Sequence, residues 1–542
     1  MTNNTNNAMI VTAQPEASEA GARVLMQGGN AIDAAMTAAL VQGVVDPQMT
    51  GIAGFGNCQI YLPKQGVHTC IDFHGKTPQA ATPNMWEDLL VAETRDGFGF
   101  VLKDYVNDLG YQSITTPGSL LAYSEAVAEF GSFDWQDICA PAIKYAEDGF
   151  PVRPAVYQWW VSGASLGRAD VTQRLQFSKS GRDLYYRQDG SLKQIGDTFT
   201  NPDLAQTLRR IAEQGVECFY AGEIAEEIEA DMVANGGLLR KSDLTSYRTT
   251  RTDPLRSTYR NFDVTTNHPP GGGVMLVEML NILEQFELSA LGHNSSEYIR
   301  IVCEAMKAAT ADKEAYVGDP NFIDVPLDEL TSKVRAQNYA QQIERGEKIN
   351  VERFTGESPD TTHVAVIDGQ GNCVTMTHSL GMPSGVITDG LGFMYNGCMG
   401  VFDPRPNRAG SIAPGKSRFS SLCPTMVFDG TQPKIVIGAP GGTQIAMGVL
   451  QSIINMLDFN MPIVEAVSAP RFSATSNLID ITNRIPNYTI EPLLAAGYEV
   501  VRSPSTFEIA RVHGIHIDKQ GRLSGGADPG SDGVALAVSV PG

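Results

Sequence analysis

Residues 361 to 379 constrain this chain more than any other stretch, because they spell a β-hairpin whose register follows from its turn. Thr361-Thr-His-Val-Ala-Val-Ile367 alternates and is rich in β-branched residues, Asp368-Gly-Gln-Gly-Asn372 is a turn, and Cys373-Val-Thr-Met-Thr-His-Ser379 is a second strand. Pairing Asp368 with Asn372 around the residues between them sets Thr361 opposite Ser379. Opposed residues of an antiparallel pair share one face with Cβ atoms about 4.5–5.5 Å apart, so the two hydroxyls can hydrogen-bond. A bulge at the glycine-rich turn would spoil that register.

Around the hairpin the pattern is mixed. Glu16 to Met26 and Ala31 to Val41 read as helices separated by Gly28-Gly29-Asn30, where a positive φ stops the first. From Asp134 to Asn350 mostly helical segments alternate with turns, among them Ser296 to Tyr316 with apolar residues at helical spacing. Val427 to Ile437 and Val534 to Val540 read as strands, and Gln444 to Leu457 as a helix. The glycines of Met49 to Tyr61 lead into an apolar strand but neither follow a strand nor open a helix, unlike a dinucleotide fingerprint. The mixture points to a layered α/β or α+β protein without internal repeats.

Composition excludes several partners. A formal charge of -21 would repel nucleic acid and anionic membranes, which leaves a small molecule as the expected ligand. The start of the chain has no basic stretch followed by an apolar core, and no apolar run has membrane-spanning length, so the expected location is the cytoplasm. The eight cysteines contain no C-x-x-C pair, which fits buried thiols and neither a disulfide framework nor a zinc site. No metal or cofactor is implied. At 542 residues, length alone suggests two or more domains.

Nine motifs in order make the chain resemble the gamma-glutamyltransferase (gamma-glutamyltranspeptidase) family of N-terminal nucleophile hydrolases. They begin with Gly28-Gly-Asn-Ala-Ile-Asp-Ala-Ala35, Thr50-Gly-Ile-Ala-Gly-Phe-Gly56 and Thr116-Pro-Gly-Ser119. His268-Pro-Pro-Gly-Gly-Gly273, Glu304-Ala-Met-Lys307 with Ala311-Asp312, and Tyr316-Val-Gly-Asp-Pro320 follow. Asp360-Thr-Thr-His363, Phe419-Ser-Ser-Leu-Cys-Pro-Thr425 and Gly438-Ala-Pro-Gly-Gly442 complete the set. The resemblance implies an α+β fold, a four-layer αββα sandwich made as one inactive chain that cuts itself between Asp360 and Thr361. Residues 1–360 would form a large subunit and 361–542 a small one, held together as a single αββα domain, with assembly into a homo-oligomer left open.

The implied chemistry needs a hydroxyl residue at the cut. Its oxygen attacks the preceding carbonyl, the acyl group shifts from N to O, and water releases the ester. The freed α-amine, with an ordinary pKa near 7.7–8.0, then serves as base to its own hydroxyl. Thr361 is thus nucleophile and base, Ser379 the residue that orients it, and Gly441 and Gly442 the oxyanion donors. Ser420 and Ser421 match a serine pair that contacts substrate.

The glutamyl clamp departs from the family. Its carboxylate-binding Arg is replaced by His74 in Asp72-Phe-His-Gly75, its Asn by Gly381, and its Gln and Asp by Cys398 and Val401 when Gly392 to Phe402 is aligned without gaps. Charge-assisted hydrogen bonds contribute about 1.5–3 kcal/mol each, so their loss argues against a γ-glutamyl donor. A pocket near Phe393, Met394, Cys398, Met399 and Val401 is expected to be less polar than usual. His74, with Lys76 or Arg418, is left to hold a small carboxylate, and Cys398 to touch substrate. The expected activity is hydrolysis of a small non-glutamyl amide, oxamate-amidohydrolase-like or acylase-like; the alternative is a glutathione hydrolase or gamma-glutamyltransferase.

Overall fold

A computed structural model describes residues 6–94, 99–162, 168–351 and 361–541. The 361–379 segment forms the expected hairpin, with strands Thr362–Ile367 and Cys373–Ser379 pairing Thr362 with His378 and Ile367 with Cys373. Its turn is closed by Asp368 N–H donating to the Asn372 carbonyl at 3.1 Å and by Gly371 at φ 81°, where a side chain would be strained. The Asp368 carboxylate reaches beyond the turn and accepts from Ala31 N–H at 3.0 Å, at the start of the helix Ala31–Val45. Asn30 and Asp33 form a capping box on that same helix, which gives the Gly-Gly-Asn-Ala-Ile-Asp motif a structural purpose.

The hairpin lies at the middle of a seven-stranded sheet ordered Val534–Val540, Asn6–Thr12, Thr362–Ile367, Cys373–Ser379, Phe55–Leu62, Val67–Phe73, Thr250–Thr252. A six-stranded sheet, ordered Leu523–Ala527, His513–Ile517, Gln432–Gly438, Thr425–Asp429, Phe262–Thr266, Leu255–Tyr259, packs against it. Alternation along the hairpin decides which face is which. Ala365, Ile367 and Cys373 meet Met426, Val436 and Ile515 of the second sheet, while Val364, Val366, Val374 and Met376 face the helices 15–26, 31–45 and 119–130. A second helical layer, including Gly273–Leu283, Ser296–Tyr316 and Ile445–Leu457, covers the other sheet. Full burial of each such Val, Leu or Ile contributes about 1.5–3 kcal/mol, and the outcome is the αββα sandwich.

Several elements differ from the sequence reading. Val427 to Ile437 is two strands, Thr425–Asp429 and Gln432–Gly438, because Gly430 takes φ 62° and turns the chain. Within the stretch read as mostly helical, Thr250–Thr252, Leu255–Tyr259 and Phe262–Thr266 are strands that serve as sheet edges or near-edges. All eight cysteines are buried thiols. Among the described residues no helix is long and apolar enough to cross a membrane.

Three buried histidines make stability depend on pH. Burial holds His378 at about 3 and His513 at about 4, and burial reinforced by the other two holds His363 well below the ordinary value. The unfolded chain binds these protons near pH 6.5 while the folded chain does not. Stability is therefore complete above that value and declines as pH falls towards 4, by up to about 1.4 kcal/mol per pH unit for each histidine. Asp46, raised by burial to about 6, acts in the opposite sense between about pH 4 and 6 and offsets roughly one of them. Thermal melts are expected to shift downward from pH 7.5 to 5; a melting temperature that rises over this range would contradict the neutral state of these rings.

Candidate active site

The Thr-Thr-His motif alternates across the sheet. Thr361 stands immediately before its strand, on the face turned between the sheets, and its Oγ1 donates to Ser379 Oγ at 3.2 Å. Thr362 turns to the helical side, where its Oγ1 donates to Gln14 Oε1 at 3.1 Å and accepts from Gln42 Nε2 at 3.0 Å. His363 lies between the sheets with Nδ1 2.9 Å from Thr377 Oγ1, and its ring fills the space a side chain at Gly438 would need. Ser379 Oγ also accepts from Gly381 N–H at 2.8 Å, so the hydroxyl facing Thr361 is fixed by backbone. Asp360 lies outside the described residues, and with it the Asp360–Thr361 bond.

Thr361, only 6% exposed, opens onto a cavity of about 830 Å³. Ser379, Gly381, Ser420, Ser421 and Gly442 share its wall. Gly441 and Gly442 adopt φ 143° and 50°, and a Cβ on Gly441 would lie 2.6 Å from the Ala510 backbone, so glycine is required there. This loop runs directly into the helix Ile445–Leu457, whose positive N-terminal end favours developing negative charge. The serine pair is buttressed by the His268-Pro-Pro-Gly-Gly-Gly273 motif. Ser420 N–H donates to the Pro270 carbonyl at 2.9 Å, and Gly272 N–H to the Leu422 carbonyl at 2.8 Å.

Two sequence-derived substrate contacts sit one layer back. His74 is fully buried and does not line the cavity; its Nδ1 is 2.8 Å from Asp72 Oδ2 and its Nε2 is 2.5 Å from Ser420 Oγ. Cys398 is also fully buried behind the wall, and its thiol accepts from Arg418 Nη1 at 3.4 Å. Arg418 itself lines the cavity, its guanidinium 4.6 Å from the Phe55 ring centre and its Nε donating to the Phe419 carbonyl. Lys76 points elsewhere, donating to the Arg248 carbonyl at 3.0 Å.

The expectation of a weakly polar pocket is corrected by the same wall. Of the five residues assigned to it only Val401 lines the cavity. Phe393 and Met394 belong to the core beneath the first helical layer, and Met399 packs with Trp86 and Phe402. Charged residues take their place: Arg405 pairs with Asp403 at 2.8 Å and with Glu93, Arg408 lies 3.7 Å from Asp403, and Lys313 pairs with Glu314. An ungapped sequence match preserves order but not the direction in which a side chain points, and here the apolar residues turn inward.

If Ser379 orients Thr361, Ser379→Ala should slow both self-cleavage and turnover while the fold persists. One hydrogen bond of about 0.5–1.5 kcal/mol corresponds to roughly 2- to 13-fold, with a larger loss if the bond strengthens in the transition state. Unchanged single-turnover rates in cut protein would remove Ser379 from this role.

Comparison with known proteins gives the same arrangement a lineage. The family model described as Gamma-glutamyltranspeptidase matches residues 17–538. The chain belongs to the gamma-glutamyltranspeptidase family. Within it, the chain is 35% identical to the Acylase ACY 1 proenzyme of Pseudomonas sp. (strain V22), with 98% of this chain and 94% of that protein covered. It is 31% identical to the Glutathione hydrolase proenzyme of Escherichia coli (strain K12), covering 96% and 90% respectively. Among solved structures, the cephalosporin acylase from Bacillus halodurans superposes with a TM-score of 0.86 at 28% identity, over 98% of this chain and 95% of that one. Family members named as acylases and as glutathione hydrolases therefore lie at similar distances.

Proposed function

We propose that this family member is an autoprocessed amide hydrolase acting on a small non-glutamyl amide through an acyl-Thr361 intermediate. The observation that carries the reading is the Thr361 hydroxyl, placed at the head of its strand, hydrogen-bonded to Ser379 and opening on the cavity. Cleavage of the bond before Thr361 leaves an amine that takes the proton of the Thr361 hydroxyl as its oxygen attacks the amide carbonyl. Gly441 and Gly442 receive the oxyanion, the amine product leaves with that proton, and water resolves the ester. No cofactor takes part in this scheme.

The non-glutamyl substrate follows from what stands at the clamp positions. His74 is engaged with Asp72 and Ser420, while Val401 offers a substrate ammonium nothing to bind. The names of the acylase relatives favour the same reading. The names of the glutathione hydrolase relatives favour the second, a γ-glutamyl activity, and release of cysteinylglycine from glutathione would establish it.

Both products of the cut stay together in this scheme. Strands Thr362–Ile367 and Cys373–Ser379 lie between Asn6–Thr12 and Phe55–Leu62, so the small subunit is held on both sides by the large one. A denaturing gel is expected to show fragments 1–360 and 361–542 that co-elute under native conditions. N-terminal sequencing that begins anywhere other than Thr361 would remove the proposed nucleophile.

A further inference from the structure

The buried set behind Ser420 has a chemical consequence for the substrate. Asp72 Oδ1 accepts from His74 N–H at 3.1 Å, and Oδ2 faces His74 Nδ1 at 2.8 Å and accepts from Asn57 Nδ2 at 3.3 Å. Burial alone would raise this carboxyl, but the contacts from His74 outweigh it and hold Asp72 below the usual carboxylate value. An ionised carboxylate only accepts, so Nδ1 of His74 carries a proton. The second ring nitrogen lies 2.5 Å from Ser420 Oγ. Further contacts fix the ring: Tyr247 OH donates to the His74 carbonyl at 2.9 Å, and Phe55 lies 5.7 Å away between centroids.

We propose that Asp72 and His74 form a positioning pair in which His74 Nε2 accepts a hydrogen bond from the Ser420 hydroxyl, which keeps its proton, and so presents the Ser420 Oγ lone pairs to the cavity as a hydrogen-bond acceptor. The Ser420 backbone N–H is already given to Pro270, which leaves the oxygen lone pairs as what this residue offers a ligand. The proposal rests on the amide-hydrolase reading and narrows it. Preferred acyl donors carry an O–H or N–H group where they meet Ser420, and analogues whose donor is blocked are rejected. A site built to hydrogen-bond a donor rejects the analogue lacking it more strongly than an apolar pocket can, because the acceptor is then left buried and unmet. His74 thus acts through Ser420 and does not touch substrate itself.

The test uses the full, self-cut protein in two independent measurements. In the first, ¹⁵N-histidine NMR, with the His74 signals identified by their loss in His74→Gln, should show Nδ1 protonated and Nε2 unprotonated near neutral pH. A protonated Nε2 would overturn the proposal whatever the substrate. The second compares hydroxyacetyl-p-nitroanilide with methoxyacetyl-p-nitroanilide. Wild type is expected to favour the hydroxyl compound by about tenfold, chiefly in KM, and Ser420→Ala to bring the ratio near one. His74→Phe should do the same, and His74→Gln, whose amide oxygen can again accept from Ser420, should restore part of it. A ratio near one in wild type, or one that the His74 variants leave unchanged, would refute the positioning role while the amide-hydrolase reading stands. Cut protein that hydrolyses neither anilide counts against that underlying reading, and the NMR result then decides the positioning pair alone.

Discussion

Thr361→Ala is expected to purify as one uncut 542-residue chain with no measurable amide hydrolysis, a loss of about 10⁴-fold or more. The size of the effect follows from how much the one residue does. In the proposed scheme its hydroxyl is the attacking group in self-cleavage and again the nucleophile in turnover, and the amine that serves as base exists only after the first reaction. Removing the oxygen eliminates all three, and Ser379, which accepts the Thr361 hydroxyl, then faces a methyl group. Thr361→Ser keeps an oxygen at the same position and should still cut, more slowly because the lost methyl relaxes the rotamer. The pair of variants separates chemistry from folding. Gel mobility, N-terminal sequencing and anilide turnover on both proteins check the outcome, and cleavage of the Ala variant before residue 361 would exclude Thr361 as the nucleophile of maturation.

The second large effect is on specificity. A γ-glutamyl p-nitroanilide should be hydrolysed with kcat/KM below about 10⁴ M⁻¹s⁻¹, and at least about 100-fold more slowly than a neutral small-acyl p-nitroanilide. Such a donor brings a carboxylate and an ammonium into the wall beside Thr361. Arg418 can meet the first, but the second finds Val401, and the wall carboxylates Asp403, Glu93 and Glu314 are already paired with Arg405 and Lys313, so an ammonium would have to displace an existing ion pair. From sequence alone, His74→Arg, Gly381→Asn and Val401→Asp together would be expected to raise γ-glutamyl turnover. The structure revises that design. A Cβ on Gly381 would lie 2.8 Å from Arg418 Nη1 and 3.0 Å from Cys398 Sγ, at φ 73°, and Arg at 74 would displace the hydrogen bond to Ser420. The triple variant is therefore expected to lose stability and gain no γ-glutamyl turnover unless Arg418 is shortened as well. Steady-state kinetics on both anilides decide the matter, and efficient γ-glutamyl hydrolysis by the unaltered protein would favour the glutathione-hydrolase reading.

Local chemistry in the chain was enough to determine the hairpin and what it opposes. Alternation, a five-residue turn with glycine at its left-handed position, and strands of matched length leave one register, and that register places Thr361 against Ser379. The helices 15–26 and 296–316 were legible for the same reason, since each carries its own period and stop signals. The strands Asn6–Thr12, His513–Ile517 and Leu523–Ala527 were not: the first finds both its partners hundreds of residues away, and the other two, which pair with each other, are five residues long and carry glycines that blur their alternation. The wall of the cavity belongs to this second class. Which of His74, Cys398 and Arg418 faces the cavity depends on how three separate segments pack around Ser420 and Gly381, and a side chain's direction across such a junction is set by the tertiary contacts it makes. The sequence determined the place of Thr361 at the head of its strand, opposite Ser379; only tertiary packing decided that a buried histidine stands behind Ser420 and that an arginine lines the cavity beside it.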